Sequence, residues 1–296
     1  MRPRRAPLSI SDARIEEAFV HGALGPDVGF VPGTERLVSE FAHYLQPGDL
    51  LRDLIDRAST RTEAAFAWGW ATHVLGDAFI HPIVGRAVGE RLHGDPSVRV
   101  DAIEDTETHV SLEVGLDIAL LRKSAPRLRA PRTPLFRSEA DAEHLASSLE
   151  SVYGIAWDIR GLVRDHRRAG WQVRWWPRAI SRLPLHPAGG VGPAVGGRFP
   201  GQPAALVARG ITPSGSAQRG FFRPEAPRPW FLAEVREQIR AFPGAFQSWL
   251  ARGLSEPSNP NLETGEPAGP GRGHPASDLA ARKLALLKET RPHGPL

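Results

Sequence analysis

The chain has 296 residues, 41% of them apolar, enough to bury a substantial core in one large domain or two. It contains no cysteine, which excludes disulfides and thiolate metal sites and leaves His, Asp and Glu as the available metal ligands. The net charge of +4 is local, because eight arginines face the single acid Glu225 between Trp171 and Pro229, so the basic balance does not by itself argue for a nucleic-acid or membrane partner.

Ser11 can cap a short first helix running through Phe19 and Val20, with Asp12, Glu16 and Glu17 in its early turns. Glycines and a proline then force a loop from Gly22 to Phe30, which delivers Asp27 at a defined point. Helical spacing of Leu37, Val38, Phe41 and Leu45 predicts a helix over 34–45 with His43 near its end, stopped by Pro47-Gly48. Further helices are predicted over 49–58 and 60–80, the second opened by a Thr60/Glu63 capping box; Pro82 removes one backbone bond without having to end it. The pattern continues over 98–121 and again over 138–167. After Gly170 comes an aromatic, basic run and then a Gly/Pro-rich tract in which little regular structure is expected before Pro229. Helices resume over 230–250, with an interruption at Pro243-Gly244, and over 276–289 beyond a Gly/Pro linker at 265–275. No strand alternation or internal repeat is evident, so the expected class is all-α: a multi-helix bundle with a long Gly/Pro-rich irregular segment. The corresponding divisions are 1–170, 171–229 and 230–296. With no membrane-length apolar stretch, and with charged residues following the basic start at once, the expectation is a cytoplasmic protein.

The chemistry concentrates in Ala64–Pro82. His73, Asp77 and His81 recur every four residues, each step turning about 40° around a helix, so the three share one gently winding face. An Asp between two His on an otherwise apolar helix requires partners; a metal supplies them, and so does a hydrogen-bonded core cluster. His109 and Glu113 repeat the four-residue spacing on another helix, and Asp27 and His43 complete the ligand types. Side chains projecting inward from facing helices are how bundles build multi-metal sites, so a metal cluster in the core is expected.

Gly22-x-x-Gly25-Pro26-Asp27, Thr72-His73-Val74-Leu75-Gly76-Asp77-x-x-x-His81-Pro82 and His109-x-x-x-Glu113 resemble the zinc-dependent phospholipase C family, related more distantly to single-strand-specific zinc nucleases. The resemblance spans about residues 15–125. It implies an all-α enzyme with two or three zinc ions that hydrolyses phosphodiesters by attack of a metal-activated water on phosphorus. Carried over, Asp27, His43, His73 and Asp77 hold one zinc, with Asp77 bridging towards a second held by His81, His109 and Glu113. Asp27 is the candidate general base. Secreted members anchor a further zinc with the amino group of the mature first residue and a nearby His; this chain begins Met1-Arg2-Pro3, which leaves His21 as the candidate for such a site. His81 also follows Asp77 more closely than in those secreted enzymes.

The resemblance implies a phosphodiester substrate, with phospholipid and membrane-surface contact in view and no stable nucleic-acid complex. The alternatives are a helical domain with a structural or degenerate metal site and a single-strand-specific zinc nuclease. Trp68 and Trp70 either line a substrate pocket or belong to the core. Trp171 to Arg182 suits a membrane interface, a stacking surface for single-stranded nucleic acid, or a partly packed loop with solvated arginines. His93, His144, His166, His186, His274 and His293 lack a partner at ligand spacing and are expected to be exposed. Asn259 to Gly265 reads as a turn with no role attached.

Overall fold

The computed structural model describes residues 13–124, 134, 136–180, 183–188, 215–254, 259–267 and 274–290. Ser11, His293, the tract 189–214 and most of the 265–275 linker lie outside these residues. The described chain is all-α, with isolated bridges rather than strands at His186–Glu225 and Pro260–Pro267. Helix α1 (Ala13–Leu24) leads into a 3-10 turn at Gly25–Phe30, followed by α2 (Leu37–Tyr44) and α3 (Pro47–Arg57). Then come α4 (Arg61–His93), α5 (Thr106–Ser124), α6 (Glu139–Tyr153) and α7 (Ile159–Ile180). The last three are α8 (Gly215–Phe221), α9 (Pro229–Ala251) and α10 (Pro275–Thr290). None of the described helices is long and apolar enough to cross a membrane.

The spine is α4, at 33 residues about 50 Å long. Its start is fixed by the capping box: Thr60 Oγ1 accepts from Glu63 N (3.1 Å) and Glu63 Oε2 accepts from Thr60 N (2.8 Å). It runs unbroken past Pro82 and stops at Gly94, whose φ of +75° is the left-handed conformation that glycine adopts without strain. The first half of α4 contributes Phe66, Trp70 and Val74 to the main core, where they meet Phe41 of α2, Leu50 and Leu54 of α3, Leu149 of α6, Trp249 of α9 and Ala280 of α10. The second half places Ile83, Val84 and Val88 against Leu112 and Leu116 of α5 and Phe231 and Val235 of α9. Between these two apolar clusters fall Asp77 and His81, with Phe79 packed on the first cluster and Ile80 on the second. The C-terminal helices thus enter the same cores as the first half of the chain.

Helix α1 crosses α4 at backbone contact. A Cβ on Gly22 would lie 1.9 Å from the Phe66 carbonyl oxygen, and one on Gly69 would lie 2.0 Å from that of Phe19. Only glycine at both positions permits this approach.

Several boundaries differ from the sequence pattern. The helix predicted over 98–121 starts only at Thr106, because the preceding residues form turns and Val100 N donates to Gly85 O of α4. The single helix predicted over 138–167 is two, split at Gly154 with φ +69°. α7 then continues to Ile180, through the aromatic, basic run expected to be irregular: Gln172 on its inner face donates to the Pro32 carbonyl, and Trp176 packs on Phe221. α8 is a second helical stretch inside the tract expected to lack structure. Pro243 does not interrupt α9, since residues 241, 243 and 244 face solvent, which can satisfy the carbonyl the proline leaves free.

Candidate metal centre

Four elements bring the seven candidate ligands together: the 3-10 turn (Asp27), the last turn of α2 (His43), the middle of α4 (His73, Asp77, His81) and the first turns of α5 (His109, Glu113). The turn is tied to α2 where Gly29 N donates to Ser39 Oγ (2.7 Å), so Asp27 and His43 are positioned as a unit. Two groups result, Asp27/His43/His73 and His81/His109/Glu113, each offering ligand atoms within 4.8 Å of one another.

In the first group the ring orientations are set from behind. Nδ1 of His43 lies 2.8 Å from the Ser39 carbonyl, and Nδ1 of His73 lies 2.9 Å from the Ala23 carbonyl of α1. A carbonyl only accepts, so each Nδ1 carries the hydrogen and each Nε2 presents its lone pair in the neutral ring. Those Nε2 atoms face each other at 3.5 Å. Asp77 Oδ2 stands 2.8 Å from His73 Nε2 and 3.4 Å from His43 Nε2, while Asp27 Oδ1 stands 3.3 Å from His43 Nε2 and 3.8 Å from His73 Nε2. Two lone pairs aimed at one point between two carboxylates require a cation or added protons. The donor set therefore fits a zinc-type ion.

The second group has the same form. Nε2 of both His81 and His109 lies 3.2 Å from Glu113 Oε1, and the two rings meet edge-on at 82°. Here the group behind the rings is Glu263, whose oxygens lie 3.8 Å from His81 Nδ1 and 3.5 Å from His109 Nδ1.

Electrostatics follow from this arrangement. Burial pulls the His43 imidazolium pKa down, but hydrogen bonds and charge from Asp27 and Asp77 outweigh it and lift it to about 9. His73, His81 and His109 are raised against the same burial by Asp77 and Asp27, by Asp77, Glu113 and Glu263, and by Glu113 and Glu263 respectively. Burial works to raise Asp77 and Glu113, yet the facing imidazoles hold both below the ordinary carboxylate range. Without metal, the cluster holds protons where a cation would sit.

A family model described as zinc dependent phospholipase C matches residues 8–163, more than half of the chain. The chain belongs to the zinc-dependent phospholipase C family. Searches of curated proteins and of solved structures give no match. All seven ligand candidates lie inside the span matched by the phospholipase C family; Glu263 lies well outside it. Its segment read only as a turn, because one acid between Leu262 and Thr264 carries no spacing signal. Of the remaining histidines expected at the surface, His144, His166, His186 and His274 are buried or half-buried. His166 is buried against Phe66 and Phe136, His274 pairs with Asp101 (3.0 Å), and His144 lies 2.8 Å from the Leu54 carbonyl. His93 is exposed. Trp70 is fully buried and Trp68 packs edge-on against Phe246, so both sit in the main core. His21 is buried, with its ring against the backbone of Gly170.

Proposed function

We propose that this family member is a hydrolase of phosphodiester bonds, with phospholipid-type esters as the first substrate class to test. The observation that carries the reading is the convergence of the His43 and His73 Nε2 atoms with two carboxylates, followed about two turns along α4 by the group of His81, His109 and Glu113. Asp27, His43, His73 and Asp77 would hold one zinc and His81, His109 and Glu113 a second. Bound there, zinc supplies a water of lowered pKa and positive charge for the phosphoryl oxygens.

The remaining work falls to the chain's own residues. The Ser39 and Ala23 carbonyls keep the two imidazoles in the one tautomer that leaves Nε2 free. Asp77, charged against the histidines on either side of it along α4, links the two groups electrostatically. Asp27 differs from the other ligands in having a side chain 51% exposed. One of its oxygens faces His43, and the other is proposed to accept the proton of the attacking water as general base. A purely structural zinc site is closed by four protein ligands, whereas the second group offers three, which would leave a position for water and favours catalysis over the structural alternative.

Metal analysis of the purified chain tests the first step. The expected result is two zinc ions per chain, lost in the His73→Ala, Asp77→Ala double variant; less than one zinc in the wild type rejects the reading. Hydrolysis of phosphatidylcholine or a nitrophenyl phosphodiester in preference to single-stranded DNA is expected. Zinc uptake that raises the melting temperature with no turnover of any of these would mark a structural site instead.

A further inference from the structure

We infer that Glu263 is the positioning residue of the second histidine pair, one carboxylate that orients both His81 and His109 from behind. The inference rests on the metal reading above and concerns a residue outside the span the family model matches.

In the first pair, main-chain carbonyls take the Nδ1 hydrogens. No such bond is made in the second: Nδ1 of His81 and Nδ1 of His109 are both buried without a hydrogen-bond partner. The polar group facing both is Glu263, Oε2 towards His81 and Oε1 towards His109, at ion-pair distances of 3.8 and 3.5 Å. Glu113 meets the same rings on their Nε2 side. A metal held by the two Nε2 atoms is therefore across the rings from Glu263, which makes Glu263 an orienting group and not a ligand.

The carboxylate is itself held in place. Its side chain is 4% exposed, and Oε1 accepts from Ala102 N at 2.9 Å, just before α5 begins. Its own N–H donates to Asn261 Oδ1 (2.9 Å), and the neighbouring Leu262 N donates to the carbonyl of His43 itself (3.1 Å). Asn259 brackets Asp49 of α3 with two bonds of 2.9 Å, and Asn261 Nδ2 reaches Ser277 Oγ of α10 (3.2 Å). Gly265, at φ +71°, lies so close to α4 that a Cβ would stand 2.6 Å from the Ala78 carbonyl, between Asp77 and His81. A charged side chain held from this many directions is suited to fixing an imidazole tautomer, for which carboxylates behind metal-bound histidines are the usual device.

Glu263→Gln is the discriminating variant. Gln keeps the shape and can still accept from Ala102 N, but it turns an NH2 towards one imidazole. That ring must then accept at Nδ1 and carry its hydrogen on Nε2, where it cannot bind metal. The experiment titrates zinc into the metal-stripped wild type, Glu263→Gln and Glu263→Asp against a competing chelator, and records the visible spectra of the cobalt-loaded proteins. Expected are a 10- to 100-fold weaker second ion in Glu263→Gln with the first ion unchanged, and an altered cobalt band. Glu263→Asp, which keeps the charge, should recover part of the affinity. Equal affinities in wild type and Glu263→Gln overturn the inference. So does Glu263→Asp behaving no better than Glu263→Gln. A wild-type chain that binds no zinc fails the metal reading itself, a distinguishable result.

Discussion

Gly69→Ala tests whether helix packing sets the metal site. The new Cβ would lie 2.0 Å from the Phe19 carbonyl oxygen and 2.8 Å from Ala23 N. Carbon and oxygen rest at about 3.3 Å or more, so α1 must move off α4 by more than about 1 Å. Ala23 moves with it, and the 2.9 Å contact between its carbonyl and His73 Nδ1 opens to about 4 Å, beyond hydrogen-bond range. Overpacking of this kind destabilises by about 1–3 kcal/mol, partly offset by roughly 1 kcal/mol of helix propensity gained over glycine. Freed of its orienting carbonyl, His73 should bind the first zinc about tenfold or more weakly. Gly76→Ala, on the same helix, is the control: its nearest neighbour would be Phe242 Cε2 at 4.0 Å, so the propensity gain should appear as up to about 1 kcal/mol of stabilisation. Urea unfolding of the metal-free proteins and zinc titration read the two effects. Gly69→Ala with wild-type stability and wild-type zinc affinity would refute the proposed coupling.

Two predictions concern protons. His166 is buried with neither ring nitrogen hydrogen-bonded; burial, and then the charge of His21, pulls its pKa down to about 3. Because the unfolded chain takes up this proton near pH 6.5 and the folded chain does not, stability is full above pH 6.5 and falls by up to about 1.4 kcal/mol per unit as pH drops towards 3. His166→Phe, beside Phe66 and Phe136, should remove one proton's worth of that slope in urea titrations at pH 4–7; an unchanged slope would show that the folded chain protonates His166 freely. His43 has the opposite sign. Its pKa of about 9 means that its pairing with Asp27 and Asp77 stabilises the metal-free fold fully below pH 6.5 and is lost as pH rises through 9. Zinc must displace that proton, so apparent zinc affinity should climb about tenfold per pH unit between 7 and 9. Calorimetry in buffers of different ionisation enthalpy counts the protons released, and none released at pH 7 would contradict the assignment.

How much of this was legible in the sequence depended on whether the signal was local. His73, Asp77, His81, His109 and Glu113 could be read because a helix places every fourth residue on one face; His73 lies with Asp27 and His43, His81 lies with His109 and Glu113, and Asp77 stands 2.8 Å from His73. The capping box at Thr60 is equally local. The missed features depend on distant contacts. α7 continues through the aromatic run because Gln172 and Trp176 find partners at Pro32 and Phe221, far away in the chain. His166 was expected at the surface for want of a ligand-spaced neighbour, whereas it is packed by aromatic rings from α4 and from Phe136. The 98–105 segment has helical apolar spacing, yet it is held as turns against α4 through Gly85.

Pro82 connects the legible part of the site with the hidden part. Lacking an N–H, it leaves the carbonyl of Ala78 without its helical donor, on the turn between Asp77 and His81. An ordinary residue at 82 would close that carbonyl into the helix ladder. Here the carbonyl instead faces the Gly265 backbone, 2.6 Å from where a Gly265 Cβ would be, with Pro82 Cγ in ordinary contact at 3.4 Å. The glycine is thus required by the proline's neighbourhood as well as by its own φ of +71°. The loop that Gly265 seats carries Glu263 two residues earlier. The His-Pro step that reads as a ligand followed by a tolerated helix irregularity therefore also marks where a loop nearly two hundred residues downstream docks, and through which the second half of the chain reaches the candidate metal centre.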